Sequence, residues 1–112
     1  MTRAAFEKEV RLALESLPKV FKTKMHNVEI VIETGSPRGR TMGLYQGVPL
    51  DERGEGYSLV LPDKITLFQR PIEAECKKTG ADIRTEIRHV VEHEIAHHFG
   101  ITDERLDDLG VY

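Results

Sequence analysis

The chain has 112 residues, 39% of them hydrophobic, and a formal net charge of −3. This length suits one ordinary domain with its own core, so we expect a single domain over residues 1–112. Basic residues are scattered among acidic ones, which argues against a nucleic-acid partner, and no apolar run approaches the roughly 18 residues that a membrane helix needs. The single cysteine, Cys76, cannot form an internal disulfide, and the N-terminus turns acidic at Glu7, where a signal peptide needs an apolar run. We therefore expect a cytoplasmic protein without a membrane partner.

The first half of the chain predicts a helix, a strand and a glycine-rich loop. Apolar side chains recur at helical spacing in residues 3–17, and Pro18 should end that helix. The β-branched segment 27–33 predicts a strand. Residues 34–56 contain six of the nine glycines, so we expect mostly loop there, with a short strand at 42–46.

The second half predicts a hairpin and three helices. Two β-rich segments flank Pro62-Asp63, which is a turn signal. Residues 81–99 lack proline and glycine and carry an apolar residue at every fourth position, which predicts a helix with a buried stripe. Thr79 and Asp82 ahead of it resemble a capping box. The predicted bounds are 57–61 and 64–68 for the hairpin strands, 72–77 for a helix opened by Pro71, 81–99 for the long helix and 103–109 for the last helix.

The long helix carries the motif His-Glu-x-x-His from His93 to His97. Residues four apart lie on the same side of a helix, so these two histidines can present their imidazoles to one ion. Neutral imidazole is a common zinc ligand. Glu94 is placed to hold and deprotonate a metal-bound water rather than to bind the metal. The motif therefore predicts a zinc hydrolase site.

A third ligand is predicted beyond the helix. Gly100 can adopt a left-handed backbone and end the helix, and that reversal would swing Asp103 back towards the metal. The glycine and the aspartate follow His97 by three and six residues, the spacing of zinc peptidases with an aspartate as third ligand. Three protein ligands would leave one position open for water, as catalytic zinc requires. The alternative is a helix with surface histidines and an ordinary glycine cap, in which the dipole of the next helix favours Asp103.

Other histidines compete for these roles. His89 and His93 are also four apart and form an alternative pair, although no glutamate directly follows the first of them. His98 points about a third of a turn away from His97, and we expect it to be packed or hydrogen-bonded in the core. The alternative for His98 is a hydrogen bond to a ligand carboxylate.

Side chains elsewhere are further candidates around such a site. The glycine-rich loop is either a mobile flap over a substrate groove or a long surface connection. As a flap, it would let arginines meet a substrate carboxylate. Independently of the flap, a tyrosine would stabilise an oxyanion, and the alternative for each tyrosine is an ordinary core or rim residue. The candidates are the arginines Arg38, Arg40 and Arg53 and the tyrosines Tyr45, Tyr57 and Tyr112.

The chain resembles the minimal zincin-like metallopeptidases of bacteria over most of its length. Residues 42–50 and 61–68 carry part of the resemblance, and the specific block is 93–106, which contains the whole metal motif. The resemblance implies a single-domain α+β fold in which a small mixed β-sheet packs against an N-terminal helix and the HExxH helix. In zincins an extended substrate pairs with an edge strand above the metal, so residues 57–68 would include that edge.

The same resemblance assigns roles at the site. His93, His97 and Asp103 match the metal ligands of the family, and Glu94 matches its catalytic acid/base. The sequence has Asp103 in place of the third histidine of metzincins, and no methionine follows Met42 to form their Met-turn, so we expect the lower half of a normal protease cleft to be missing.

Two hypotheses follow. The first is a zinc peptidase with one zinc ion per chain, which cleaves peptides or exposed protein segments. The second is a non-catalytic metal-binding or protein-interaction domain that has kept the site. The missing half of the cleft favours the second hypothesis. Glu94 favours the first, because a structural zinc site needs four protein ligands and no base.

Overall fold

The computed structural model describes residues 1–37, 39–47 and 62–99, and it shows the α+β fold that the sequence predicts. The elements of these ranges are the helices α1 (Arg3–Glu15), α2 (Lys19–Lys24), α3 (Gln69–Thr79) and α4 (Ile83–His98), and the strands β1 (Val28–Glu33), β2 (Gly43–Gln46) and β3 (Asp63–Phe68). Among these helices none is long and apolar enough to cross a membrane. The predicted helix at 103–109 lies outside the described residues.

The strands form a mixed three-stranded sheet with β3 in the centre, parallel to β1 and antiparallel to β2. In the middle of β3, Ile65 pairs with Ile30 on one side and with Tyr45 on the other. Residues 65–68 are all buried, which accounts for the apolar residues Ile65, Leu67 and Phe68 in the second half of this strand. The strand predictions are confirmed to within one residue at each end: 27–33 for β1, 42–46 for β2 and 64–68 for β3.

The position of β3 bears on the expected substrate-facing edge. We expected residues 57–68 to include that edge, and the part of the segment in β3 does not supply it, because this part has a neighbouring strand on both sides. Residues 65–68 of β3 are buried on both faces of the sheet, and both edges of the strand are paired. The edge strands of the described sheet are β1 and β2, and β2 packs against α4. The predicted hairpin partner, 57–61, lies outside the described part of the chain.

The N-terminal helix packs against α4 through a buried stripe of Phe6, Val10 and Ala13. Its end differs from the prediction, because α1 stops at residue 15 and a separate six-residue helix, α2, begins after Pro18. Proline is tolerated where a helix starts, since the first N–H groups of a helix have no partner within it. The buried Phe21 anchors α2 to the core, which explains why the apolar pattern continues beyond the proline.

Helix α3 is longer than the predicted 72–77, because it runs directly on from the end of β3. Pro71 lies in its first turn, where no intrahelical N–H is needed. Gly80 ends it with a left-handed backbone at φ 78° and donates its N–H to the carbonyl of Cys76 at 2.8 Å. This short left-handed turn sets the direction in which α4 leaves.

Helix α4 carries the predicted motif, and its start corrects the capping prediction. Asp82 is itself the N-cap and accepts the N–H of Thr85 at 3.1 Å, whereas Thr79 is the last residue of α3. The predicted apolar stripe is buried at its three central positions, Ile87, Val91 and Ile95. Phe99, the expected last member of that stripe, is 41% exposed because the helix ends before it.

Candidate active site

Helix α4 places His93 and His97 on one side, as the spacing predicts. Their ring centroids are 5.9 Å apart and the ring planes meet at 73°. Two imidazoles bound tetrahedrally to one zinc at about 2.1 Å have centroids roughly 5 Å apart, so a small rotation would let both rings share an ion. His93 is half-buried and His97 is exposed. An ion between the two rings would therefore have protein on one side and solvent on the other.

The described residues do not include the rest of the predicted ligand set. Within residues 1–37, 39–47 and 62–99 no group of three histidine, cysteine or acidic side chains is arranged to hold a metal. Asp103 and Gly100 lie outside the described residues, so the third ligand stays a prediction. The two histidines fit zinc in type and spacing.

Glu94 is half-buried between the helix and strand β2. Its carboxylate accepts a hydrogen bond from the peptide N–H of Tyr45. Burial raises the pKa of the Glu94 carboxyl above its ordinary value, and the nearby His97 and this peptide N–H oppose the rise. A carboxyl with a raised pKa accepts a proton more readily, which suits a group that takes a proton from water and returns it.

Gly43 is what allows β2 to approach Glu94 so closely. A Cβ atom at Gly43 would lie 2.6 Å from Cγ1 of Val90 and 3.2 Å from Cγ of Glu94. The backbone of β2 at Gly43 therefore contacts side chains of α4. Two residues later, the peptide N–H of Tyr45 faces the Glu94 carboxylate. Sequence reasoning missed this role, although a glycine inside a predicted strand is a signal for a close approach.

Tyr45, one of the oxyanion candidates, is fixed at both ends of its side chain. Its hydroxyl donates a hydrogen bond to Oδ2 of Asp63 at 3.0 Å, and its ring stacks on His98 with centroids 3.9 Å apart at 13°. Asp63, which sequence reasoning treated as a turn residue, is thus a partner of the site. The other oxyanion candidates, Tyr57 and Tyr112, lie outside the described residues.

His98 lies outside the core, contrary to the first of its two predicted roles. Its side chain is 35% exposed, and Nε2 lies 3.8 Å from Oδ2 of Asp63. Gly47 makes room for the ring, since a Cβ there would lie 3.0 Å from Cε1 of His98. Phe99 meets the same ring edge-on at 4.9 Å, and Nζ of Lys24 lies 4.9 Å from the Phe99 centroid. His98 is therefore part of a surface cluster that ties β2 to the end of α4.

A cleft of about 480 Å³ runs from Glu94 towards the start of α4, along the residues that lead into β2. The lining residues are Thr41, Met42, Gly43, Glu86, His89, Val90, His93 and Glu94. His89 and His93, the alternative pair, are both in this wall, and no third ligand joins them in the described residues.

The arginine candidates are not gathered at this cleft. Arg40 is exposed and lines a different depression, next to Pro71 and Lys78 of α3. Arg38 and Arg53 lie outside the described residues, as does much of the glycine-rich loop, so the flap stays a prediction.

Glu92 is a buried acid that sequence reasoning missed. It is 2% exposed, and burial raises the pKa of its carboxyl to about 7 although Arg88 opposes the rise. The Arg88 Nε atom lies 3.6 Å from Glu92 Oε1, which is too long for a strong ion pair. An acid at a position that the helical pattern leaves polar gives no sign of burial until the packing of α4 is known.

The comparisons with known proteins bear on this site as a whole. No curated protein matches the chain. The family described as "Zincin-like metallopeptidase" matches residues 19–111, which include the whole sheet, α4 and the His-Glu-x-x-His motif. Members of such a family are metal-dependent hydrolases, and the family implies zinc binding. The chain therefore belongs to the zincin-like metallopeptidase family.

Proposed function

We propose that the protein is a zinc-dependent peptidase that binds one zinc ion per chain through His93, His97 and Asp103. The observation that carries the proposal is the setting of Glu94, which is half-buried, has a raised pKa and is held by the Tyr45 peptide N–H. A non-catalytic zinc site has no use for a base, so this setting favours the enzyme over a domain that only binds metal. The single cysteine, Cys76, suits a reducing cytoplasm as the place of action.

The roles of the chain's own residues follow from their positions. Zinc, when bound, would polarise the scissile carbonyl and make water more acidic. His93 and His97 would bind it as neutral imidazoles, since a protonated ring has no free lone pair. Glu94 would take a proton from the attacking water at its carboxylate and return it to the leaving amine. The peptide N–H of Tyr45 would keep the carboxylate aimed at that water.

The edge strand β2 is the proposed binding place for substrate. Its inner edge pairs with β3, and among the described strands none pairs with its outer edge. An extended peptide that adds to this outer edge would run over Glu94, because Gly43 and Tyr45 lie directly on that side chain. The proposed substrates are therefore peptides or exposed protein segments in an extended form.

Metal analysis and a peptide-library digest test the proposal together. The purified parent should contain about one zinc per chain and should cleave members of the library. Glu94→Gln should keep the metal and lose at least roughly the 10²–10⁴-fold that a general base contributes, because an amide cannot accept the proton. Glu75→Gln, the same change on α3, is the matched control and should cleave like the parent. Equal cleavage by Glu94→Gln and the parent, or no cleavage by the zinc-loaded parent, would contradict the proposed function.

A further inference from the structure

The cleft beside Glu94 extends well beyond the reacting groups. Its far end is lined by Glu86, eight residues before Glu94 on the same helix. At about 1.5 Å per residue, these two positions are separated by roughly 12 Å along the helix axis. An extended peptide covers about 3.3–3.6 Å per residue, so the far end lies within about three to four substrate residues of the bond to be cleaved.

The far end carries an uncompensated negative charge. Glu86 is half-buried in the cleft wall, and no ion pair of the described residues involves it. Of the neighbouring arginines of α4, Arg84 donates through Nε to Glu9 at 2.9 Å, and Arg88 Nε lies 3.6 Å from Glu92, so neither of them forms an ion pair with Glu86 in the described part of the chain. No lysine or arginine is among the residues that line the described cleft.

The walls between the two ends suit a long side chain with a charged tip. Met42, Gly43 and Val90 line the cleft between its two ends, and Met42 and Val90 provide apolar surface there. Lysine and arginine lay their aliphatic stems along apolar surface and keep the charged head at a polar site. A cation at Glu86 would gain charge-assisted hydrogen bonds, whereas an acidic side chain would meet repulsion.

We propose that this cleft is a specificity subsite for a lysine or arginine side chain of the peptide substrate, with Glu86 as the residue that pairs with the cation. The inference rests on the proposed peptidase function, whose substrate class it narrows. Glu86 selects the substrate and takes no part in the proton transfers of Glu94.

Cleavage of matched peptides by the zinc-loaded protein is the first measurement. A hexapeptide series carries one lysine at each position in turn, and a second series carries glutamine there. We expect kcat/KM to be about tenfold or more higher for lysine at one position within four residues of the cleaved bond, since a hydrogen bond between charged groups is worth that much. Glu86→Gln should abolish this preference and Glu86→Lys should shift it to acidic residues. Glu75→Gln should leave it unchanged.

Binding to a protein without the catalytic base separates this proposal from the proposed function. The fluorescence anisotropy of labelled peptides is measured with Glu94→Gln and with the double variant Glu94→Gln/Glu86→Gln. The first should bind the best lysine peptide about tenfold more tightly than its glutamine partner, and the double variant should bind both alike. Circular dichroism of both variants checks that the near-isosteric changes preserve the fold.

The outcomes distinguish the two ideas. A parent that cleaves nothing while Glu94→Gln still prefers lysine would refute the peptidase and keep the cation subsite. Equal binding of the lysine and glutamine peptides to Glu94→Gln would overturn the subsite, whether or not the parent cleaves. A lysine preference that survives Glu86→Gln would show that another residue selects the cation.

Discussion

The peptide N–H of Tyr45 donates a hydrogen bond to the carboxylate of Glu94, and this bond links the edge strand β2 to the motif helix α4. Three features of β2 support the link. Gly43 allows the close approach, the ring of Tyr45 stacks on His98, and the Tyr45 hydroxyl is bonded to Asp63 at the start of β3. Because a backbone group orients the proposed base, changes in the position of β2 should affect catalysis without any change to the motif itself.

Gly43→Ala tests the close approach of β2. The added Cβ would lie 2.6 Å from Cγ1 of Val90 and 3.2 Å from Cγ of Glu94, so the strand must shift. Overpacking of this kind costs about 1–3 kcal/mol, and the shift should also lower kcat by moving the Tyr45 peptide. Gly35→Ala is the matched control, because a Cβ there meets nothing within 4 Å. Urea unfolding and peptide hydrolysis measure both effects, and equal behaviour of the two variants would show that Gly43 has no such role.

Tyr45→Phe and Asp63→Ala test the side-chain anchor. The phenylalanine keeps the stack on His98 but loses the 3.0 Å hydrogen bond, so the free energy of unfolding should fall by about 0.5–1.5 kcal/mol. A double-mutant cycle isolates the pair, and we expect a coupling energy of about 1 kcal/mol between the two changes. Additive losses would mean that the hydroxyl and the carboxylate contribute independently of each other.

Glu92→Gln should change how stability depends on pH. The folded carboxyl has a pKa of about 7, above the ordinary 4.5, so the unfolded chain loses this proton first as the pH rises. The parent's free energy of unfolding should therefore fall between about pH 4.5 and pH 7 and stay lower above that range. Glutamine does not titrate, so the variant should gain up to about 3 kcal/mol over the parent between pH 4 and pH 8.

Urea unfolding of parent and variant at several pH values makes this comparison. Glu29→Gln, at an exposed position of β1, is the control for the change from glutamate to glutamine and should cost little stability. The difference between Glu92→Gln and the parent removes the contributions of all other groups. A constant difference from pH 4 to pH 8 would show that the pKa of Glu92 is the same in the folded and the unfolded protein.

The sequence predicts those parts of the fold that depend on local pattern. The apolar spacing of α4 predicts a helix and the β-branched segment of β1 predicts a strand, and both predictions are confirmed. The order of the strands in the sheet could not be predicted, because no local feature of the sequence shows that β3 pairs with both β1 and β2. The same holds for the site: the motif gives His93 and Glu94, whereas the support from Tyr45 and Asp63 depends on which strand lies beside the helix. The capping prediction was wrong because Thr79 and Asp82 are both residues that can cap a helix, and the sequence alone does not show which of them precedes the first turn of α4.

Asp103→Ala tests the proposed third ligand, for which the sequence motif is the support. The variant should bind zinc at least 10–100-fold more weakly than the parent, since even the loss of an outer-shell partner of a metal ligand costs that much. Asp107→Ala, four residues further along, is the matched control and should keep the parent's affinity. Competition with a chromogenic zinc chelator near neutral pH measures these affinities, and His93→Ala sets the scale for the loss of a ligand.

Hydrogen exchange gives the same assignment a second readout. If Asp103 joins the histidines at the metal, zinc removal by a chelator should reduce amide protection in residues 100–112, because binding energy at the site then also holds this segment. In Asp103→Ala the segment should exchange at the same rate with and without zinc. Protection of 100–112 that does not respond to zinc in the parent, together with an unchanged affinity of Asp103→Ala, would exclude Asp103 as the third ligand and leave His93 and His97 to bind the metal with another group.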